Sequence, residues 1–304
     1  MNDNQLNKKP LSFKRYSTQI IIAVILVGWG LLVACNQDLP IVAIFLLGTI
    51  ITCWFGSLQH ELVHGHPFKY DNLNRLVGML PIGLFTPFPL YKKYHLEHHQ
   101  ITGLTQPGVD PESFYVFDSR WESYPEFIKT ILIANNTLLG RMLFGPSIAL
   151  YRFYRHEMRL LLKKDFTHLG YWIIHLALVA FMFMLLSHFS ISPLSYILLF
   201  AYPGYGLTLV RSFYEHRPAE KEKEKCAIVE TNLFFQYLFL NNSYHAVHHR
   251  FPGMPWWQLK DYYHQHKAHV LADGAYLVKG YQEIFKRYFL KPKDNPVYQE
   301  KSFA

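Results

Sequence analysis

Two stretches of this chain carry the same three-histidine pattern, His95-Leu96-Glu97-His98-His99 and His245-Ala246-Val247-His248-His249. Residues three and four apart on a helix share one side, with side chains roughly 5–6 Å from each other, so each stretch crowds imidazoles along one strip. With 17 His in 304 residues, chance produces the pattern about 0.05 times, and two copies point to chemistry. Neutral imidazole is the commonest protein ligand for metals and suits Fe, Cu and Zn. A metal site is the immediate expectation. A third cluster, His60-Glu61-Leu62-Val63-His64, sets two more histidines four residues apart, and a ninth candidate, His216, ends Arg211-Ser212-Phe213-Tyr214-Glu215-His216.

Taken alone, His60-Glu61-x-x-His64 also fits the zinc proteases, in which two His bind zinc and Glu is the general base. A zinc hydrolase uses three protein ligands and one open position, whereas eight histidines sit in these three clusters, more than one tetrahedral ion can use. Cys35, Cys53 and Cys226 form no Cys-x-x-Cys pair that would hold zinc or an iron-sulfur cluster. Any electrons must therefore come from another molecule.

The elements that must position these histidines are set by hydropathy. The chain is 50% apolar and 17% aromatic yet carries a net charge of +8, and long uncharged blocks alternate with charge-rich ones, the signature of a membrane protein. Four blocks, 18–36, 41–58, 169–186 and 194–210, are long enough at about 1.5 Å per residue to cross a roughly 30 Å hydrocarbon core. The short turns 37–40 and 187–190 pair them into two hairpins and contain no Lys or Arg. All 30 basic residues fall in the tails and large segments, which places those segments, both termini and the histidine clusters on the cytoplasmic side. The expected fold class is an all-α membrane protein, with four transmembrane helices in two hairpins, a cytoplasmic helical cap and interfacial amphipathic helices.

Three units follow: a disordered basic tail over 1–16, a membrane domain over 17–263 and a cytosolic helical tail over 264–304. Between the hairpins, Pro81, Pro87 and Pro89 rule out a regular spanning helix across 73–90, which reads as an interfacial or re-entrant piece. Residues 125–144 and 146–164 read as two in-plane amphipathic helices, the second starting at Pro146. The alternating charges of 217–225 read as a solvated loop and 231–240 as a short apolar helix. There is no internal repeat, phosphate-binding glycine loop or nucleic-acid motif.

The three clusters, on paired spans and followed by Arg250-Phe251-Pro252-Gly253-Met254-Pro255-Trp256, together with Gly65-His66-Pro67 and Asp110-Pro111-Glu112, resemble the histidine boxes of the integral-membrane fatty acid desaturases over about residues 41–263. The resemblance implies two Fe ions, held by His60, His64, His95, His98, His99, His245, His248 and His249 with His216 as the additional ligand after the fourth span. It also implies O2 and two external electrons as co-reactants, a fatty acyl substrate carried by a membrane lipid or acyl carrier, and a separate electron donor of ferredoxin, cytochrome or flavoprotein reductase type. Related membrane lipid hydroxylases and carotenoid ketolases share the same boxes. Ser212 stands where some members place an Asn that contacts a metal through water.

Unlike soluble di-iron bundles, whose ligands are mainly Glu, this set is all histidine. Glu61, Glu97, Asp110, Glu112 and Glu215 are candidates for orienting the imidazoles, each with the alternative of an ordinary surface ion pair. His156, His168, His175 and His188 are isolated and read as packing residues; His264, His266 and His269 lie in a polar helix beyond the boxes, and His66 lies near the site without being a ligand. Pro81 to Leu90 can line an acyl channel or simply pack at the interface. The basic segments would attract anionic headgroups, an acidic electron donor or an acyl carrier protein.

Overall fold

The structure, a computed structural model, describes residues 14–298; the basic tail expected over 1–16 lies almost wholly outside them. In chain order the helices are α1 (Ser17–Ala34), α2 (Ile41–Val63), α3 (Asp71–Gly78), α4 (Phe88–Gln100), α5 (Asp118–Trp121), α6 (Glu126–Asn135), α7 (Leu138–Leu162), α8 (Leu169–His188), α9 (Pro193–Tyr196), α10 (Tyr202–Ser212), α11 (Leu233–Leu238), α12 (His245–Arg250), α13 (Trp256–Ala272) and α14 (Tyr281–Tyr288). A π-turn over Ile197–Ala201 joins α9 to α10 into one long element. Four helices, α1, α2, α8 and Pro193–Ser212, are long and apolar enough to cross a membrane.

These helices expose apolar side chains. Val24, Val27, Leu31, Ile173, Leu176 and Phe181 face outward with no protein covering them, an apolar belt that water would not tolerate. Their inner faces meet through large side chains: Ile22 and Ile25 of α1 pack with Phe55, Leu58 and Leu62 of α2, and the Trp29 indole donates to the Tyr196 hydroxyl at 3.1 Å. Elsewhere contact needs small residues, as is usual where lipid offers no hydrophobic drive between helices. A methyl on Gly206 would lie 2.5 Å from the Met142 carbonyl oxygen, and one on Gly204 would lie 2.5 Å from Thr52. These two glycines let α10 lie against α7 and α2 at once.

The second and fourth spans run further than their uncharged blocks. The helix α2 continues to Val63 and carries His60 and Glu61, both buried. Those polar residues stay helical because the C-terminal half of the chain covers them: the Trp256 amide donates to Glu61 Oε2 at 3.2 Å. Across 73–90 no spanning helix forms; α3, a 3₁₀ turn at Pro81–Gly83 and the start of α4 divide the segment, as its prolines dictate.

The in-plane helices are divided differently from expectation. The break falls at Asn136 and Thr137, so α7 begins at Leu138 and runs through Pro146 without interruption. Thr137 provides the start, its hydroxyl accepting from the Gly140 amide at 2.9 Å, the bond an N-cap makes. Proline inside a helix weakens the preceding turn; here the Tyr202 hydroxyl donates to the Leu143 carbonyl at 2.5 Å, which supports that turn from α10.

The C-terminal part is woven into the body. The boundary expected at 263/264 lies within α13. Beyond it β3 (Tyr276–Val278) pairs in parallel with β2 (Ala227–Val229), and β4 (Val297–Tyr298) pairs in parallel with β1 (Val116–Phe117). Tyr281 and Ile284 of α14 are buried with Val210, Phe213 and Phe239. Residues 276–298 are therefore packed structure where a tail was expected.

Overpacking a close helix contact destabilises by about 1–3 kcal/mol. Gly206→Val is expected to lower the melting temperature in detergent by several degrees. Gly170→Ala, where no atom lies within 4 Å of the added methyl, should leave it unchanged.

Candidate metal centre

Four chain segments bring nine histidines together at one end of the helical body. The end of α2 supplies His60 and His64, α4 supplies His95, His98 and His99, the bend after α10 supplies His216, and α12 supplies His245, His248 and His249. They sort into two groups. His60, His64, His95, His99 and His248 form one, and His98, His216, His245 and His249 the other, with the ligand nitrogens of each group all within 4.8 Å of one another.

Helical spacing explains the sorting. On α4 the pair four residues apart, His95 and His99, serves one group while His98 serves the other. On α12 the pair His245 and His249 serves the second group and His248 the first. One turn of helix is about 5.4 Å, so each of these helices straddles both groups and neither group forms without both.

The imidazole nitrogens face each other at distances no hydrogen-bond network explains. His64 Nε2 and His95 Nε2 are 3.1 Å apart, as are His95 and His99, His99 and His248, and His98 and His216, while His245 and His216 are 2.9 Å apart. A single N–H between two imidazoles satisfies one pair, yet His95 Nε2 and His99 Nε2 each face two partners. His60 Nε2 and His249 Nε2 are buried with no hydrogen-bond partner at all. Leaving such acceptors unsatisfied costs about 1–3 kcal/mol each, and a shared cation removes that cost. The donor set therefore fits metal ions, and a metal-dependent site is its natural reading.

Carboxylates set which nitrogen faces inward. Glu112 Oε1 lies 2.7 Å from His95 Nδ1 and Asp110 Oδ1 lies 2.8 Å from His98 Nδ1. An imidazole that donates through Nδ1 presents a bare Nε2. Asp110 is itself held by the amides of Thr105 and Glu112, both at 2.8 Å. His245 Nδ1 has Asn242 Oδ1 at 3.3 Å and Glu215 Oε1 at 3.4 Å, and Glu215 in turn meets Arg211 at 3.0 Å and the Asn242 amide at 3.1 Å. Of the five candidate carboxylates, Asp110, Glu112 and Glu215 thus touch imidazoles. Glu61 instead ties α2 to Trp256, and Glu97 is exposed, 3.9 Å from Lys93. Asn242 carried no signal in the sequence; only the fold aims it at His245.

Burial, then the neighbouring imidazoles, pushes His99 down to about 2, while burial followed by His98 pushes His216 down to about 3. Burial also holds His245, His248 and His249 well below the usual range. All five are neutral at physiological pH, the form that binds metal. Burial likewise presses on His98, but Glu112 and Asp110 outweigh it and raise that imidazole to about 9, so a metal bound there would displace its proton.

The remaining histidines have other partners or lie apart. His66 Nε2 meets the Gly253 carbonyl at 2.9 Å, His175 the Leu84 carbonyl at 2.8 Å, His188 the Met184 carbonyl at 2.8 Å, and His168 pairs with Glu157 at 3.1 Å. His266 meets the Tyr262 carbonyl at 3.0 Å, and His156, His264 and His269 fall outside both groups.

A cavity of about 700 Å³ reaches the centre. It starts among Thr52, Gly56, Leu84, Phe85, Ala201 and Tyr205 and is walled further in by His95, Glu112 and His216. Its size suits a small-molecule site. Pro81, Leu84, Phe85 and Phe88 of the proline-rich segment form part of its wall.

Comparison with known proteins agrees with this architecture. The chain matches the fatty acid desaturase family over residues 39–281 and belongs to it. It is 26% identical over 253 residues to a putative sphingolipid delta(4)-desaturase/C4-monooxygenase of Caenorhabditis elegans, covering 80% of this chain and 63% of the relative. It is 28% identical to sphingolipid delta(4)-desaturase DES1 of Drosophila melanogaster, covering 71% of this chain and 62% of the relative. The mouse protein of that name is 27% identical over 64% of this chain and 56% of its own length. The chain thus spans between 56 and 63% of the length of these relatives.

Removing a carboxylate that orients a ligating imidazole typically weakens metal binding about 10–100-fold. Asp110→Asn is expected to lose metal to chelator at correspondingly lower chelator concentration, read by metal content after dialysis. Glu97→Gln should match the parent protein.

Proposed function

We propose that this membrane protein is an O2-dependent lipid desaturase that takes up two iron ions, one in each histidine group, and introduces a double bond into an acyl chain. The observation that carries the reading is the cavity, which joins an apolar region between two spans to a wall containing His95 and His216. His60, His64, His95, His99 and His248 would hold one iron and His98, His216, His245 and His249 the other. When bound, the irons supply with O2 the oxidising power needed at an unactivated methylene, which no side chain has. The overall change takes two hydrogens from adjacent carbons, consumes O2 with two electrons and two protons, and releases two waters.

The chain's own residues bind, orient and shield. Leu84, Phe85 and Ala201 offer an apolar path for a hydrocarbon chain, and burial of His60, His95, His98, His245 and His248 keeps water from the centre. Glu112, Asp110 and Glu215 hold the imidazoles in the tautomer that faces inward. The electrons come from a separate ferredoxin, cytochrome or flavoprotein reductase reaching the cytoplasmic face, where Lys and Arg concentrate and an acidic donor is attracted.

Two further readings are separable. One relative's name includes C4-monooxygenase, and the same centre would serve hydroxylation if oxygen is retained in the product. Hydrolysis by His60-Glu61-x-x-His64 is disfavoured by geometry, because Glu61 is engaged by the Trp256 amide and the two histidines share their group with three others.

Purified protein is expected to contain two irons per chain, and His216→Ala to retain about one, by metal analysis. Expression in a host lacking such an enzyme, with fatty acyl and sphingoid profiling, should reveal a new unsaturated or hydroxylated lipid. Unchanged lipids from protein fully loaded with iron and supplied with reductant would sink the proposal.

A further inference from the structure

The cavity has a cationic part that the desaturase reading does not use. There it is lined by Arg141 and Arg152 of α7 and by Lys293 of the segment between α14 and β4, with Tyr115 beside them. Arg141 is 3% exposed and the Lys293 side chain 8%, so two of these cations are removed from bulk water. Charged groups in such a position are costly unless an opposite charge answers them.

Their protein partners are almost all neutral. Arg141 donates from Nε to the Asn135 carbonyl at 3.1 Å and from Nη2 to Asn136 Oδ1 at 3.5 Å, and its guanidinium lies 3.7 Å from the Phe114 ring centre. Arg152 donates to the carbonyls of Ser113 and Tyr115. Lys293 donates to the carbonyls of Phe213 at 2.6 Å and His216 at 3.4 Å. Asp294, 4.0 Å from the Lys293 ammonium, also accepts from Asn136 and Tyr115. Among the described residues no carboxylate lies within ion-pair distance of Arg141 or Arg152. Of the three cations, only Lys293 thus has a carboxylate within ion-pair distance.

The segment that brings Lys293 lies beyond the matched family region, 39–281. It is pinned on three sides: Lys293 donates its amide to the Asn136 carbonyl at 2.8 Å, Val116 donates to the Pro296 carbonyl at 3.0 Å, and β4 pairs with β1. The strand β1 in turn continues, through Ser113 and Tyr115, the loop that holds Asp110 and Glu112 against the histidines. The cationic end is therefore built rigidly next to the metal centre.

We propose that this end of the cavity binds an anionic terminus of the substrate, a carboxylate or a phosphate, through Arg141, Arg152 and Lys293. The polarity of the cavity then matches an amphiphile. Along α10 its wall passes from Ala201 and Tyr205 through Thr208 to Ser212 and on to His216, about 16 Å from Ala201 to Ser212 at helical rise. The hydrocarbon lies in the apolar end and the anion among the three cations. The inference rests on the acyl-lipid reading for the hydrocarbon part, while the charge preference stands on the cations alone.

The test is binding, which needs no turnover. A fluorescent fatty acid bound to the purified protein in detergent is displaced by competitors of one chain length: the free fatty acid, its methyl ester, a 1-acylglycerol phosphate and the corresponding 1-acylglycerol. At least one of the two anions is expected to compete at least tenfold more tightly than its neutral counterpart, and the better anion identifies carboxylate or phosphate as the ligand. Arg152→Gln, half-buried and the safest to fold, and Lys293→Met should each shrink that preference severalfold while leaving the neutral competitors unchanged. Equal competition by charged and neutral forms overturns the proposal, as does a preference that survives both substitutions in protein of normal melting temperature and metal content. Protein that prefers the anions but alters no lipid would refute the desaturase reading and leave this one standing.

Discussion

Imidazole nitrogens facing one another 2.9–3.1 Å apart in a buried space are the constraint on which this molecule depends. Each ring must be neutral, turned to a single tautomer and kept from collapsing into ordinary hydrogen bonds. No single helix meets those demands. The α4 and α12 turns each divide their histidines between the two groups, so the spacing of one helix is useful only when the other stands opposite it. The spans, the loop carrying Asp110 and Glu112, and the C-terminal segment all bear on holding that opposition.

The carboxylates show how position is transmitted. Asp110 grips His98 and is gripped in turn by two backbone amides of its own loop; that loop is tied through β1 to β4 at the far end of the chain. Glu61 lies within the first histidine cluster yet reaches across to Trp256, just past the third. These bonds make the inner ends of the spans and the cap over them one unit. Separate packing would leave the first and third clusters free to drift apart, and oriented imidazoles tolerate little drift.

In the proposed reaction, the membrane part would serve the centre by admitting a hydrocarbon chain while excluding water. Gly204 and Gly206 allow α10 to lie close to α2 and α7, and the cavity opens where the proline-rich stretch before α4 cannot complete a helix. An apolar approach on one side and buried cations on the other give the cavity a direction. Its wall thus holds an apolar region and a cationic one as well as histidines, an arrangement suited to an amphiphile.

Much of this was legible in the chain itself. The histidine spacing, the four uncharged blocks and the basic residues outside them depend on local period and composition, and the corresponding helices form as read. The limits of those readings are equally local in cause. Pro146 reads locally as a helix start, but Thr137 caps the helix earlier and Tyr202, from another element, supports the turn that the proline weakens. Residues 276–298 are polar enough to read as a tail, yet Tyr281, Ile284 and Tyr298 pack inward. By itself the sequence determined which side chains can bind metal and which segments belong in lipid, because both follow from residue type and short-range spacing. The division of nine histidines into two groups, the choice of Asp110, Glu112 and Glu215 as their partners, and the joining of Arg141 to Lys293 across 152 residues were decided only by tertiary structure, because each requires chain segments far apart in sequence to meet.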